Sequence, residues 1–233
     1  MMSARFEELD WQETPMGELT LRRRQEPTLG VDVFEVKLGD EFLMSSLFTV
    51  AEEALADLGL AATAGEKLSV LVGGLGLGYT AVAALADVRV ASLEVVEALR
   101  AVIDWHERGL LPASAKLTGD VRTTLVLDDF FDMMRREPAN QYDAILLDID
   151  HSPRHQLEPG HADLYTETGL ERVSSHLAPR GVFALWSDDP PDDEFLARLG
   201  SVFDSATAHT VDFDNALTGG ISSNTVYVAT RVA

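Results

Sequence analysis

Four glycines fall within six residues, at Gly73, Gly74, Gly76 and Gly78, directly behind the apolar run Leu68 to Val72 and directly ahead of Tyr79 to Ala86. The run before them reads as a strand and the stretch after them as a helix, so this is a strand, a glycine turn and a helix in that order. Glycine lets a backbone turn tightly and approach a ligand closely. The N-terminus of the helix that follows offers free N–H groups that favour negative charge. No other feature limits the fold of the chain as strongly.

The spacing narrows it further. The pattern is Gly74-x-Gly76-x-Gly78, whereas a dinucleotide site wants its third glycine one position later, where Tyr79 stands. The tighter spacing is the habit of folds that bind S-adenosylmethionine. Around it, strands and helices alternate. Val88 to Leu93, Thr124 to Leu127, Ala144 to Leu147 and Gly181 to Trp186 read as strands. Val95 to Arg108, Asp129 to Arg136, Leu164 to Leu177 and Pro191 to Leu199 read as helices. Ala144 to Leu147 is apolar on both faces, as a central parallel strand is. Ala206 to Phe213 and Thr225 to Arg231 read as a closing antiparallel pair. Upstream, Glu18 to Arg24 and Val31 to Leu38 alternate like strands about a turn at Pro27 to Gly30. A helix then starts at Thr49, with Glu52 at capping-box spacing, and closes at Gly59. The expected class is α/β, a Rossmann-like doubly wound, mostly parallel sheet, with a small N-terminal β-unit. Residues 1–45 form the β-unit and residues 46–233 the nucleoside-binding domain.

Composition excludes some functions. Eighteen Lys and Arg stand against 39 Asp and Glu, a net charge of −21. Such a surface repels phosphate backbones, so nucleic acid is not an expected partner, while a polycation is attracted. The chain has no cysteine, which excludes disulfides and thiolate chemistry. No stretch is apolar enough to span a membrane, and residues 1–11 lack the order of a signal peptide. A cytoplasmic location is expected.

In a doubly wound sheet, ligands bind beyond the carboxyl ends of the strands, so acids there are the candidates. Glu94, twenty residues past Gly74, stands at the expected end of its strand. It can accept both hydroxyl hydrogens of a ribose, or simply favour a helix N-terminus. Asp129, with Phe130 beside it, can accept from an adenine amino group or cap the next helix, and the two roles are compatible. Asp148 ends the apolar fourth strand, where a carboxylate can deprotonate or orient an amine, or anchor a turn. Asp150 follows on the same side of the chain. The long polar stretch Ile149 to Asp163 reads as a lid. Its His151, His155 and His161 lack diagnostic ligand spacing, and no metal is expected. Asp188, Asp189, Asp192 and Asp193 follow the fifth strand, able to collect a cation or to be a solvated loop.

The order of these motifs resembles the spermidine synthase (polyamine aminopropyltransferase) family, within the class I S-adenosylmethionine-dependent methyltransferase superfamily, over nearly the whole chain. Thr14-Pro15 and Asp40-Glu41-Phe42 look like the bounds of that family's N-terminal unit. Gly73 to Gly78 is similar to its glycine loop, and Tyr142 to Asp148 to its strand ending in the catalytic aspartate. Leu164-Tyr165 and Leu177-Ala178-Pro179-Arg180-Gly181 resemble its later signposts. The resemblance implies aminopropyl transfer from decarboxylated S-adenosylmethionine to a small-molecule amine such as a polyamine. Gly73, Gly74, Gly76, Gly78, Glu94, Asp129 and Phe130 would hold the nucleoside, and Asp148 would act as base. Asp150, Tyr165 and Asp188 would face the amine, in a homodimer without metal. The chain departs from the family at the substrate end. Gly76 stands where the family has an aspartate against the propylamine. Ala51-Glu52 stands for a Tyr-His pair, Trp186 for a glutamine, and Asp148-Ile149-Asp150-His151 for two serines between aspartates. Methyl transfer from S-adenosylmethionine and a non-catalytic nucleoside-binding module are the competing readings.

Overall fold

The N-terminal residues build an antiparallel sheet because their apolar side chains alternate over two long strands. The computed structural model describes residues 6–231. Strands β1 (Phe6–Thr14), β2 (Gly17–Glu26), β3 (Val31–Leu38) and β4 (Glu41–Ser45) lie in that order, each antiparallel to the next. Leu19 and Leu21 of β2 and Val33 and Val36 of β3 are fully buried. On the β2–β3 pair, Arg22 and Arg24 each meet the buried Glu35 at 2.7 Å, so the buried carboxylate has two cationic partners. β1 and β4 are strands the sequence pattern does not announce. β1 is mostly polar and β4 is only five residues long, and pairing with β2 and β3 makes them strands rather than any alternation of their own.

The remaining chain is the second unit. It runs α1 (Val50–Ala62), β5 (Leu68–Gly73), α2 (Tyr79–Ala86), β6 (Val90–Glu97), α3 (Arg100–Glu107), α4 (Ser114–Gly119), β7 (Thr123–Leu127), α5 (Phe130–Arg135) and β8 (Tyr142–Leu147). A 3₁₀ turn (Pro159–Tyr165), α6 (Glu167–Ser175), β9 (Leu177–Ser187), α7 (Asp193–Val202), β10 (Ser205–Asn215) and β11 (Gly220–Thr230) complete it. The sheet order is β10-β11-β9-β8-β5-β6-β7. β5 to β9 are mutually parallel, while β11 and β10 close the sheet antiparallel. This is the Rossmann-like, doubly wound sheet with an N-terminal β-unit that the alternation predicts. β5 and β8 are neighbours in space though distant in sequence, so the winding reverses between them, and a crevice opens there at their carboxyl ends.

Three local differences matter for the site. The strand expected to end at Leu93 runs on to Glu97, because β-branched Val95 and Val96 pair with β5 on one side and β7 on the other. The helix expected from Val95 therefore starts at Arg100. Gly59 does not end α1 but lies inside it, buried against Leu146 of β8 and Ala184 of β9, where a side chain would collide. The capping box at Thr49 does not form. Thr49 bonds Glu53 at 2.8 Å, and Glu52 turns inward. Among the described residues, no helix is long and apolar enough to cross a membrane.

Candidate functional site

The glycine loop lies across the carboxyl ends of β5, β6 and β8 and is tied to both neighbours. Gly74 donates its N–H to the Val96 carbonyl at 2.9 Å, and Asp148 donates its own to the Gly73 carbonyl at 2.8 Å. Gly74 has φ +94°, and a Cβ there would strike the Asp148 carbonyl oxygen. Gly76 has φ +46°, and a Cβ there would meet Met44 Sδ at 2.8 Å. Both positions need glycine for conformation and for space. His106, buried in α3, donates Nε2–H to the Gly76 carbonyl at 2.9 Å and props the loop from behind. Gly78 precedes α2 at φ +90°. Gly73 packs against the Phe130 ring and lines neither of the cavities described next.

In front of the loop lies a mainly apolar cavity of about 200 Å³. The N-terminal sheet roofs it with Leu19, Val36, Leu38, Leu43 and Met44, and α3 adds Trp105. The Trp105 indole N–H donates to Asp10 Oδ2 at 2.7 Å, which anchors β1 to α3. Strand tips and the glycine loop give it Gly74, Gly76, Glu97, Asp129 and Asp148, with Phe130 beside Asp129, and Glu158 and His161 add polar groups from the loop after β8. The carboxylate of Glu97 accepts the N–H of Leu75 at 3.2 Å and that of Leu99 at 2.8 Å. It thus ties the loop to the start of α3. Burial raises its pKa, against the lowering pull of these backbone N–H groups.

Glu94, expected at the strand tip, is not in this cavity. It sits mid-strand opposite Leu71 and Thr124, and its charge helps push the Tyr142 hydroxyl up to about 12, after burial as the main cause. Tyr142 opens β8, at the end of the sheet away from the glycine loop. The correction follows from the longer strand: three further residues carry β6 to the crevice, and Glu97 arrives there. The signal was present as Val95-Val96, a pair better suited to a strand than to a first helical turn. Asp129 is at the cavity and also caps α5, accepting the Asp132 N–H at 2.9 Å.

A second cavity adjoins the first, with Leu43, Met44, Gly76, Asp148 and Ile149 lining both. Glu52, Gly78, Tyr79, His151 and Trp186 are among the residues that also line it. Thr80 Oγ1 donates to Asp148 Oδ2 at 2.6 Å. Burial raises Asp148 to about 6, partly offset by that hydrogen bond. Burial raises Glu52 to about 8, and the Asp148 charge adds to the shift. The two carboxyls share the cavity, and repulsion sets one above the other. The pair therefore holds a proton to higher pH than an ordinary carboxyl does.

No family model matches the chain, and no curated protein sequence does. Among solved structures it is similar to a spermidine synthase in complex with the transition state analogue AdoDATO, at 19% identity and TM-score 0.76, covering 96% of this chain and 73% of that one. A spermidine synthase from Thermotoga maritima gives 19% identity and TM-score 0.74 over 96% and 72%. The chain has the fold of spermidine synthases. Human methyltransferase-like protein 13 in complex with SAH is also similar, at 21% identity and TM-score 0.53, covering 79% of this chain and 80% of that one. This places the fold in the wider methyltransferase class.

Within the spermidine synthase fold, three residues expected to face the amine lie elsewhere. The Asp150 side chain is wholly buried and its oxygens are taken. His161 Nδ1 donates at 2.7 Å, the Tyr165 hydroxyl at 2.7 Å and the Leu157 N–H at 2.8 Å. Tyr165 is buried with it. Asp188 is exposed beside the loop, its N–H bonded to the His151 carbonyl, and lines neither cavity. The three loop histidines go to three different acids: His151 to Glu41, His155 to Asp189 and His161 to Asp150. Residues that sequence reasoning missed are Glu97, Glu52 and Thr80. Glu52 was read as a cap because cap and site share the same first helical turn.

Proposed function

We propose that this protein is a transferase that holds an S-adenosylmethionine-type nucleoside in the larger cavity and alkylates an amine in the adjoining one. Decarboxylated S-adenosylmethionine is the donor, and an aminopropyl group is what moves. The observation that carries the reading is the wall common to the two cavities, which contains Asp148. A nucleoside fits the first: its loop has no room for side chains at Gly74 and Gly76, Glu97 presents a carboxylate and the walls are apolar. Fold relatives in complex with AdoDATO and SAH support this. Bound there, such a donor supplies a sulfonium-activated carbon. The chain's own part is to exclude water with the β-unit roof, to hold the amine beside Asp148, and to accept its proton on that carboxylate. Thr80 fixes Oδ2, which leaves Oδ1 for the amine. The net charge of −21 draws a cationic amine towards the protein.

One observation favours a second reading. Met44 Sδ fills the space a side chain at Gly76 would need, so the loop offers no carboxylate to a propylammonium, and intact S-adenosylmethionine with methyl transfer follows. Calorimetry with methylthioadenosine, S-adenosylmethionine and its decarboxylated form separates the two. Binding is expected, and Glu97→Ala should weaken it roughly 10- to 100-fold, the worth of hydrogen bonds to a charged group. Incubation with the decarboxylated donor and putrescine should release methylthioadenosine, and Asp148→Asn should slow this by about 10²- to 10⁴-fold. A clear preference for intact S-adenosylmethionine moves the assignment to methylation. No binding of any of the three overturns both.

A further inference from the structure

A groove of about 520 Å³ shares no lining residue with either cavity. It lies between Leu29 in the turn after β2, Phe48 and Val50 at the entry to α1, and the β10–β11 hairpin, which supplies Phe213 and Ile221. The rings of Phe48 and Phe213 pack within it, with centroids 5.6 Å apart. Around them the chain leaves apolar surface in water: Leu29, Val50 and Ile221 are 42%, 48% and 71% exposed. Single exposed apolar residues are ordinary, but several gathered in one groove mark a contact site. Its charged lining is of one sign. Asp212 and Asp214 stand in the wall, and no Lys or Arg does among the described residues. The Ser223 hydroxyl donates to Asp212 Oδ1 at 2.6 Å and holds that acid on the hairpin.

The strand that carries these acids is an edge. β10 is the last strand of the seven-stranded sheet, so among the described residues its outer side meets no neighbouring strand. It is 11 residues long, pairs with β11 without a register shift, and contains neither Pro nor Lys. Short length, bulges, Pro and Lys are the usual means of keeping an edge from pairing, and β10 uses none of them. Its acids make the edge selective instead. They repel an acidic strand and attract a basic one. A second copy of this chain is the wrong occupant, because it brings Asp212, Asp214 and a further net charge of −21 to the same place.

We propose that this groove docks an extended, basic segment of a partner protein, which adds a strand to the edge of β10. Main-chain hydrogen bonds to the edge hold such a segment, and its alternate side chains give the specificity. Apolar side chains of the partner cover Phe213 and Ile221, and its Lys or Arg residues meet Asp212 and Asp214. The inference goes beyond the transferase reading and does not rest on it.

The probe is a short synthetic peptide that alternates lysine with valine or phenylalanine. A copy with glutamate for lysine and a copy N-methylated at alternate residues are the controls. In calorimetry at low salt the lysine peptide should bind and the glutamate peptide should not. N-methylation should weaken binding by about tenfold or more, as the loss of several strand hydrogen bonds does. Asp212→Asn with Asp214→Asn should weaken it roughly three- to tenfold, and Ile221→Ser about tenfold. A second measurement needs no variant to fold: in the wild type, the backbone amide resonances of β10 should shift on adding the lysine peptide. Absence of binding overturns the proposal. So does binding that leaves the β10 amides still and is indifferent to Ile221→Ser, since the peptide then sits on the acidic surface at large. Equal binding of the N-methylated copy removes the strand pairing and the proposal with it. A dimer in sedimentation that Ile221→Ser dissociates assigns the groove to a second copy and overturns it as well.

Discussion

At the scale of single residues, the decisive placements are of charge. Glu52 lies on the buried side of α1's first turn, next to Asp148, and its carboxyl is raised to about 8 by burial and then by Asp148. Its ordinary value in the unfolded chain is 4.5. The folded state therefore holds a proton that the unfolded state loses across this window. Stability from this group is full below the unfolded value and is lost as pH rises through the folded one. Glu52→Gln, which resembles the protonated form, should flatten that loss. Urea midpoints at mildly acidic and mildly alkaline pH check it: the wild type should drop more between the two than the variant. Equal drops would show that Glu52 is not the group that titrates. Asp148 at about 6 works in the same range for turnover. On the proposed function its ionised form accepts the amine's proton, so the rate should decline as pH falls below that value.

Among the elements, α1 shows how packing overrides a local signal. Its apolar stripe, Val50, Ala51, Ala54, Leu55 and Leu58, was legible in part: Ala51 and Leu55 are buried, Ala54 and Leu58 half-buried and Val50 exposed. Its end was not. Gly59 reads as a stop signal, yet the helix continues to Ala62 because glycine is what lets it lie close on β8 and β9. Leu55, at 0% exposure, is the anchor of that contact. Leu55→Ala should cost about 2–5 kcal/mol by transfer and cavity terms. In urea titration this appears as a lower midpoint with an unchanged slope, and a loss well under that range would mean the helix repacks. β6 teaches the same lesson for the site. Val95 and Val96 are held by pairing with β5 and β7 and Glu97 by pairing with β7, and that pairing separates Glu97 in the cavity from Glu94 beside Tyr142.

For the whole molecule, the excess of acids is a cost that the fold carries. A net charge of −21 repels itself in the compact state. Many of the arginines are already paired with acids, including Arg89 with Asp87, Arg122 with Asp120 and Arg136 with Asp128, each at 2.6–2.7 Å. Moderate salt screens the remaining repulsion over a Debye length of about 8–10 Å. The thermal midpoint should therefore rise between low and moderate sodium chloride, and a scanning measurement at both decides it. A fall would mean that the surface ion pairs outweigh the repulsion.

The sequence by itself determined the alternation, and so the parallel sheet, the crevice at its carboxyl ends and the acids Asp129 and Asp148 at two of its strand tips. These follow from hydrophobic period and glycine spacing, which are local. It did not determine which glutamate of β6 reaches the crevice, that Glu52 and Asp148 share a cavity, or that Asp150 is spent on His161 and Tyr165. Those depend on where a strand stops pairing and on which side chains are brought together from residues as far apart in the chain as 52 and 148. Only the packed structure brings such groups together, because burial and mutual charge act through space and leave no period along the chain.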